Sequence, residues 1–96
     1  MVTLAWPDTL VMSGDVDFAV VRTFTGTDRL ADVEVVDLSA ATYVDTSAVG
    51  LLLRCVQLVH RRDPARRVRV VGATPRVRTT LEMMGAQHLV VLAPPT

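Results

Sequence analysis

The sequence predicts an α/β domain, with a mixed, largely parallel sheet of four to five strands flanked by helices. Short apolar runs and helix-like segments alternate in the order ββαβαβαβ, which implies strand–helix–strand crossovers. The apolar residues of segment 47–61 recur with the 3.6-residue period of a helix. Segment 75–84 has the features of a helix with defined ends. Thr74 can act as its N-cap, Pro75 is favourable in the first turn, and Gly85 is favourable directly after the last turn.

The N-terminal half should contain a hairpin, a short helix and a strand. The turn-forming sequence "WPD" separates two apolar runs and predicts the hairpin. "GDVD" at 14–17 should break the second strand, and Asp17 can cap a helix whose apolar face includes Phe18. The valine-rich strand that follows is too apolar on both faces for an edge. The predicted elements are strands at 2–4, 10–12 and 32–39 and a helix over 18–26.

The C-terminal half should contain two longer helices, over 47–61 and 75–84, and strands at 68–72 and 88–93. Cys55 and His60 fall on the first of these helices and are expected to be packing or surface residues. His88 has no acidic or nucleophilic neighbour in sequence, so a structural role is expected. Met83 falls off the apolar face of its helix and should be exposed.

Length and composition indicate a single soluble domain over residues 1–96, with 50% hydrophobic and 21% charged residues. No apolar run reaches the roughly 20 residues needed to span a bilayer, and the N-terminus lacks signal-peptide features. Cytoplasmic localisation without membrane insertion is therefore expected. The single cysteine excludes an internal disulfide and a cysteine-based metal cluster, and no cofactor is predicted.

Charge is unevenly distributed along this neutral chain. Residues 1–45 contain eight acidic and two basic residues, a net charge of −6, and residues 46–96 carry the opposite +6. The two halves could neutralise each other on folding, or they could leave a polarised surface that steers a charged partner. The arginines at 61, 62, 66 and 67 are interpreted as a solvated loop, without nucleic-acid binding, because net charge is zero and aromatics are few.

The junction "YVDTSAVGLLL" at 43–53 is the candidate functional site. Asp45, Thr46 and Ser47 lie between a strand-like and a helix-like run, and each is a good N-cap. Simple capping would explain one of the three. The alternative is an anion site, since the start of a helix presents free N–H groups and a positive dipole end that would stabilise a phosphate on a hydroxyl.

The segment "VVDLSAATYVDTSAVGLLLRCVQ", residues 35–57, resembles the signature of the STAS domain, the family of bacterial anti-sigma factor antagonists. Matching positions are Asp37, Leu38, Ser39, Val44, Asp45, Thr46, Ser47, Val49 and Gly50. "GDVD" is similar to the family's G-E-L-D, and residues 72–92 resemble its last helix and strand. The chain departs from the family at Ala48, where a glycine is usual. It also departs in the interval between Asp17 and Asp37, which is several residues shorter and could alter one edge of the partner surface.

The resemblance implies a phosphorylation switch in sigma-factor-dependent transcription, without catalysis by this chain. The partner would be an anti-sigma factor serine/threonine kinase, and a phosphatase would reset the cycle. Thr46 is the implied phosphate acceptor and Ser47 the second choice. Partner binding or switch support is expected from Asp17, Asp45, Ser47, Ala48, Val49 and Gly50. Asp45 could orient the hydroxyl or only cap the helix.

Two alternatives remain from the sequence. The chain could be a STAS accessory subunit of a lipid-transport ATP-binding-cassette complex, or a scaffold that does not switch. An enzyme is not expected, because the sequence has no Gly-rich phosphate loop, no metal-ligand cluster and no nucleophile–base pair.

Overall fold

The computed structural model of the chain describes residues 1–92 and contains a five-stranded sheet whose strand order follows the chain order. The first two strands pair antiparallel, and every later neighbouring pair is parallel. The predicted mixed, largely parallel sheet is therefore confirmed. The strands are β1 (Val2–Ala5), β2 (Thr9–Val16), β3 (Val35–Val44), β4 (Arg69–Val71) and β5 (Val91–Leu92).

Three α-helices and two short 3₁₀ helices connect the strands. They are α1 (Phe18–Arg22), the 3₁₀ helix Thr27–Asp32, α2 (Thr46–Arg62), α3 (Pro75–Met83) and the 3₁₀ helix Ala86–His88. Each α-helix begins with a side-chain cap, formed by Asp17, Asp45 and Thr74 respectively. Gly85 follows α3 in the left-handed region, at φ 74°, which is the conformation expected of a glycine that ends a helix.

One face of the sheet supplies much of the core. Leu10, Val36 and Val70 are paired across β2, β3 and β4, and each is at most 1% exposed. The next residue along each strand faces the other way and is only partly buried. The apolar stripe of α2, which includes Leu52, Cys55 and Val59, completes the same core. The 3.6-residue period in the sequence, at positions 49, 52, 53, 56 and 59, identified this face in part, since residues 49, 52 and 59 are buried but residues 53 and 56 are only partly buried.

The predicted break of β2 at "GDVD" is wrong, since the strand runs on to Val16. Gly14 has φ 68°, and the pairing with β3 shifts register between Val11 and Ser13 and again between Gly14 and Asp15. At each shift β3 contains one residue more than β2, an irregularity that, like a β-bulge, absorbs the extra residue without ending either strand. The pairing also extends β3 beyond the predicted 32–39, as far as Val44.

The first helix is shorter than the predicted 18–26. It ends at Arg22, and the Thr23 hydroxyl donates a hydrogen bond to the Val20 carbonyl at 2.7 Å. A threonine-rich stretch with a glycine favours a helix poorly. The chain instead forms the separate 3₁₀ helix, which buries Leu30.

The last predicted strand, 88–93, is too long. Ala86–His88 is a 3₁₀ helix, and β5 contains only Val91 and Leu92. Residue 93 lies outside the described residues. The two-residue strand still pairs parallel with β4, so the predicted crossover through α3 is present.

Two surface ion pairs join the acidic and basic halves of the chain. Arg62 pairs with Asp32, and an Arg66 guanidinium nitrogen lies 2.5 Å from a Glu34 carboxylate oxygen. These contacts support the interpretation that the two halves partly neutralise each other. Because the partners are largely exposed, each pair contributes on the order of 0–1 kcal/mol to stability.

Candidate functional site

The candidate site is the corner where β2 and β3 end side by side. Val16 and Val44 are paired at the ends of these strands, and the Asp45 N–H donates to the Val16 carbonyl at 3.1 Å. Asp17 and Asp45 each follow a strand end and begin a helix. The pairing therefore brings together the "GDVD" and "DTS" motifs, which lie far apart in the sequence.

Asp45 connects the two helix starts through both carboxylate oxygens. Oδ1 accepts the Ala48 N–H at 3.0 Å and caps α2, whereas Oδ2 accepts the Phe18 N–H at 3.0 Å in the first turn of α1. Asp17 makes the local contact only, since its Oδ1 accepts the Val20 N–H at 3.0 Å. The sequence left open whether Asp45 caps the helix or orients a hydroxyl. Its described hydrogen bonds are those of a double cap.

Thr46 and Ser47 are left without a capping role, because Asp45 is the N-cap and α2 begins at Thr46 rather than at the predicted Ser47. Within the described residues, neither hydroxyl makes a hydrogen bond to the protein. Thr46 is exposed and Ser47 is half-buried. Their backbone N–H groups belong to the first turn, which has no intrahelical acceptors. An accessible hydroxyl therefore lies at the positive end of a 17-residue helix.

The next three residues of α2 divide between core and surface. Ala48 and Val49 are each 1% exposed, whereas Gly50 is exposed. Val49 is therefore unsuitable as an exposed probe of partner contact, because Val49→Asp would bury an unpaired charge and disturb the fold. Gly50 lies four residues after Thr46 and shares its face of the helix.

Phe18 is a surface residue that the sequence placed on the buried face of the first helix. The aromatic side chain is 60% exposed, and the Arg22 guanidinium carbon lies 5.6 Å from its ring centroid. Val20 and Val21 pack against the core instead. One feature of the sequence indicated that Phe18 lies at the corner. It immediately follows the N-cap Asp17 and is therefore the first residue of α1.

The remaining reactive residues show no arrangement for catalysis by a thiol or a metal cluster in the part of the chain that the structure describes. Burial raises the pKa of the Cys55 thiol to about 11, and this thiol donates to the Leu30 carbonyl at 3.5 Å. It is therefore a protonated packing residue at neutral pH. Residues 1–92 contain no group of three His, Cys, Asp or Glu side chains suited to a metal ion. No described helix is long and apolar enough to cross a bilayer.

The fold and the corner define a small α/β domain with a hydroxyl-bearing helix start at the ends of two parallel strands. The sequence profile described as "Mlab, STAS domain" matches residues 5–92, and the chain belongs to the STAS domain family. A search of curated proteins found no match.

Solved structures with similar folds include the following two. The anti-sigma factor antagonist SpoIIAA, in its unphosphorylated form, aligns with a TM-score of 0.64 and 17% identity, over 100% of this chain and 88% of its own. A Thermotoga maritima protein, described as a candidate anti-sigma factor antagonist, aligns with a TM-score of 0.71 and 12% identity, over 96% of this chain and 83% of its own. At these identities the likeness establishes the fold alone.

Removing the Asp45 carboxylate should cost more stability than removing the cap of α1. We expect Asp45→Ala to lower the free energy of unfolding by about 2–3 kcal/mol, because two backbone N–H groups lose their acceptor. Asp17→Ala removes one such contact from a five-residue helix and should cost about 1 kcal/mol or less. Urea denaturation of both variants measures the difference. Equal losses would show that the contact with Phe18 contributes nothing.

Proposed function

We propose that this STAS domain is an anti-sigma factor antagonist that is switched off by phosphorylation of Thr46. In the unmodified state it binds an anti-sigma factor kinase and thereby releases a sigma factor for transcription. A phosphatase restores the binding form. The observation that carries the proposal is the position of Thr46, an exposed residue with a free hydroxyl in the first turn of α2.

The structure favours Thr46 over Ser47 as the acceptor. A kinase must reach the hydroxyl, and Thr46 is exposed whereas Ser47 is half-buried. Neither hydroxyl would have to give up a hydrogen bond within the described part of the protein. The cap of α2 is supplied by Asp45, so modification of Thr46 would leave the contact with Ala48 intact.

Electrostatics at the corner account for a switch without refolding. A phosphate adds a charge of about −1.5 to −2 at neutral pH. The free N–H groups and positive end of α2 would stabilise this charge in the isolated protein. A docked partner would remove water from the phosphate and from the neighbouring Asp45, so desolvation and the less screened repulsion between the two charges would oppose binding.

The surface around Thr46 has features of a contact site. Phe18 exposes an aromatic ring beside the corner, and its backbone is held to Asp45. Gly50 adds a place on α2 where a partner's backbone could approach closely, since outside its own stretch of helix backbone no atom lies within 4 Å of the position that a Cβ would occupy there. We propose Phe18, Thr46 and Gly50 as the centre of this partner surface, supported from beneath by Ala48 and Val49.

The decisive experiment is phosphorylation by an anti-sigma factor kinase encoded near this gene. Incubation with the kinase, ATP and magnesium should add one phosphate, and peptide mass spectrometry should place it on Thr46. Thr46→Ala should stay folded, accept no phosphate and bind the kinase constitutively. Thr46→Glu should bind at least about tenfold more weakly, a change of roughly 1.4 kcal/mol. Ser47→Ala is the matched control and should still be phosphorylated.

Each other result has a defined meaning. If the phosphate is found on Ser47, the proposed switch is retained but Ser47, rather than Thr46, is its acceptor. If neither hydroxyl is modified and the Thr46 variants bind equally, the switch is wrong. If Thr46 is only a surface residue of the helix, Thr46→Ala should leave binding unchanged, and it should change the free energy of unfolding by no more than about 0.5 kcal/mol because its hydroxyl makes no hydrogen bond within the described residues.

The accessory-subunit function is the second candidate because the matched family profile is described as Mlab rather than as an antagonist. Such a subunit would use its surface to hold a transport ATPase and would need no kinase. Co-purification with an ATPase and a permease, instead of an anti-sigma factor, would favour this alternative.

A further inference from the structure

A second potential site lies on the opposite half of α2, away from Thr46. It is a pocket of about 390 Å³ between the C-terminal part of α2, the 64–67 connection and the residues that follow α3. Small-molecule sites commonly have volumes of about 300–1,000 Å³, so this pocket is large enough for a small ligand. The partner surface proposed above shares none of its lining residues.

The inner wall of the pocket is apolar. Leu53 and Val56 are partly buried side chains that pack against the core, and Leu89 lies beside them with 51% of its surface exposed. Leu53 and Val56 lie three residues apart on α2 and so share a face of that helix. An apolar chain placed here would remove water from all three side chains, which is the favourable contribution of hydrophobic burial.

The rim of the pocket contains two arginines and two histidines. His60, Arg66, Arg67 and His88 line it, and none of the lining residues is acidic. Arg66 is partly neutralised because it pairs with Glu34. Arg67 is exposed and makes no ion pair among the described residues. Its guanidinium is therefore free to form charge-assisted hydrogen bonds with an anion.

Neighbouring charges do not remove this preference. The negative end of the α2 dipole lies near the rim, but three basic residues, His60, Arg61 and Arg62, occupy the last turn. Asp63 follows the helix without lining the pocket, and one of its carboxylate oxygens accepts the Ala65 N–H at 3.0 Å. The apolar wall and the cationic rim together select a ligand with an apolar tail and an anionic head.

We infer that this pocket binds a single-chain amphiphile whose head is a carboxylate or a phosphate. The tail would lie along Leu53, Val56 and Leu89, and the head would contact Arg67 with one of the rim histidines beside it. Arg66 would hold the connecting loop in place through Glu34. The domain would then carry a small-molecule site on α2 in addition to its proposed phosphorylation corner.

Titration of the whole domain with octanoate, octyl phosphate and 1-octanol tests the inference. Isothermal calorimetry should show one saturable site for at least one of the anions, and methyl NMR signals of Leu53, Val56 and Leu89 should shift with the same affinity. The octanol should bind about tenfold more weakly or worse, because it lacks a charge-assisted hydrogen bond worth roughly 1.5–3 kcal/mol. Whichever anion binds identifies the head group.

Two charge reversals at exposed arginines distinguish binding of the anion in the pocket from a general effect of the protein's net charge. Arg67→Glu should weaken anion binding about tenfold or more, since it places a negative charge at the rim. Arg29→Glu changes the net charge equally at an exposed position outside the lining, on the 3₁₀ helix Thr27–Asp32, and should leave affinity nearly unchanged. Equal weakening by both variants, equal binding of octanol and the anions, or no saturable binding of any probe would overturn the inference.

Discussion

Gly72→Ala should destabilise the domain by about 3 kcal/mol or more, lowering the melting temperature by roughly 10–25 °C. Total stability for a chain of this size is on the order of 5–15 kcal/mol, so the loss would be a large fraction of it. Thermal and urea denaturation measure both quantities. The expected effect is the largest for any single methyl addition considered in this protein.

Two features of the structure cause this sensitivity. Gly72 has φ 74°, a conformation that costs an alanine about 1–2 kcal/mol. An ideal Cβ would also lie 2.5 Å from the Ser39 Cβ, 2.7 Å from its Cα and 2.8 Å from its N. Two of these atoms belong to the backbone of β3, so no change of rotamer can relieve the contact. The end of β4 would have to move away from β3, to which it is paired.

Gly14→Ala is the matched control for Gly72→Ala. Gly14 has a similar φ of 68°, but no atom beyond its two chain neighbours lies within 4 Å of its ideal Cβ. The control should therefore show the backbone cost alone, about 1–2 kcal/mol. If both variants lose the same stability, the close approach of Gly72 to Ser39 contributes nothing.

Gly50→Trp should weaken binding of the kinase partner by about a hundredfold, or roughly 2.7 kcal/mol, while the domain remains folded. Gly50 is exposed on α2, and outside its own stretch of helix backbone no atom lies within 4 Å of its ideal Cβ. A glycine inside a helix costs about 1 kcal/mol relative to alanine, so replacement should maintain or increase stability. An indole at this point would occupy the space into which the partner is proposed to dock. Calorimetric titration against the kinase, with melting temperatures measured in parallel, tests both expectations.

Arg61→Trp supplies the comparison for Gly50→Trp. It adds the same ring to an exposed position of α2, about three turns away from Gly50, and should leave affinity within about twofold. Full affinity in the Gly50 variant would remove that residue from the partner surface without contradicting phosphorylation of Thr46. A loss of affinity in both variants would place the interface along the whole helix.

Much of the architecture could be predicted because it depends on interactions within a few residues. Asp17 and Thr74 accept N–H groups three residues ahead, and Gly85 ends α3 by its own backbone conformation. The apolar period of α2 likewise predicted the burial of Val49, Leu52 and Val59. These features follow from capping geometry and from the helical repeat, so a short window of sequence contains the information.

The corner itself depended on contacts between distant residues. Three adjacent side chains could have capped α2, and Asp45 does so with one oxygen while its other oxygen accepts the N–H of Phe18, 27 residues away. The pairing of β2 with β3 carries the strand past Gly14, where local propensity predicted a break. It also positions the short α1, which exposes Phe18. These contacts cannot be predicted from neighbouring residues in the sequence, because they form only when the sheet brings distant segments together.

Sequence alone therefore determined the order of strands and helices, the family signature and the candidate hydroxyls at 46 and 47. The tertiary structure decided that Thr46 is the accessible one, that Val49 is buried and that Gly72 lies against Ser39. It also placed Leu89 beside Leu53 to form the pocket on α2. Accessibility and close packing depend on every segment that covers a residue, and those segments are brought together by hydrophobic burial over the whole chain rather than by neighbouring residues.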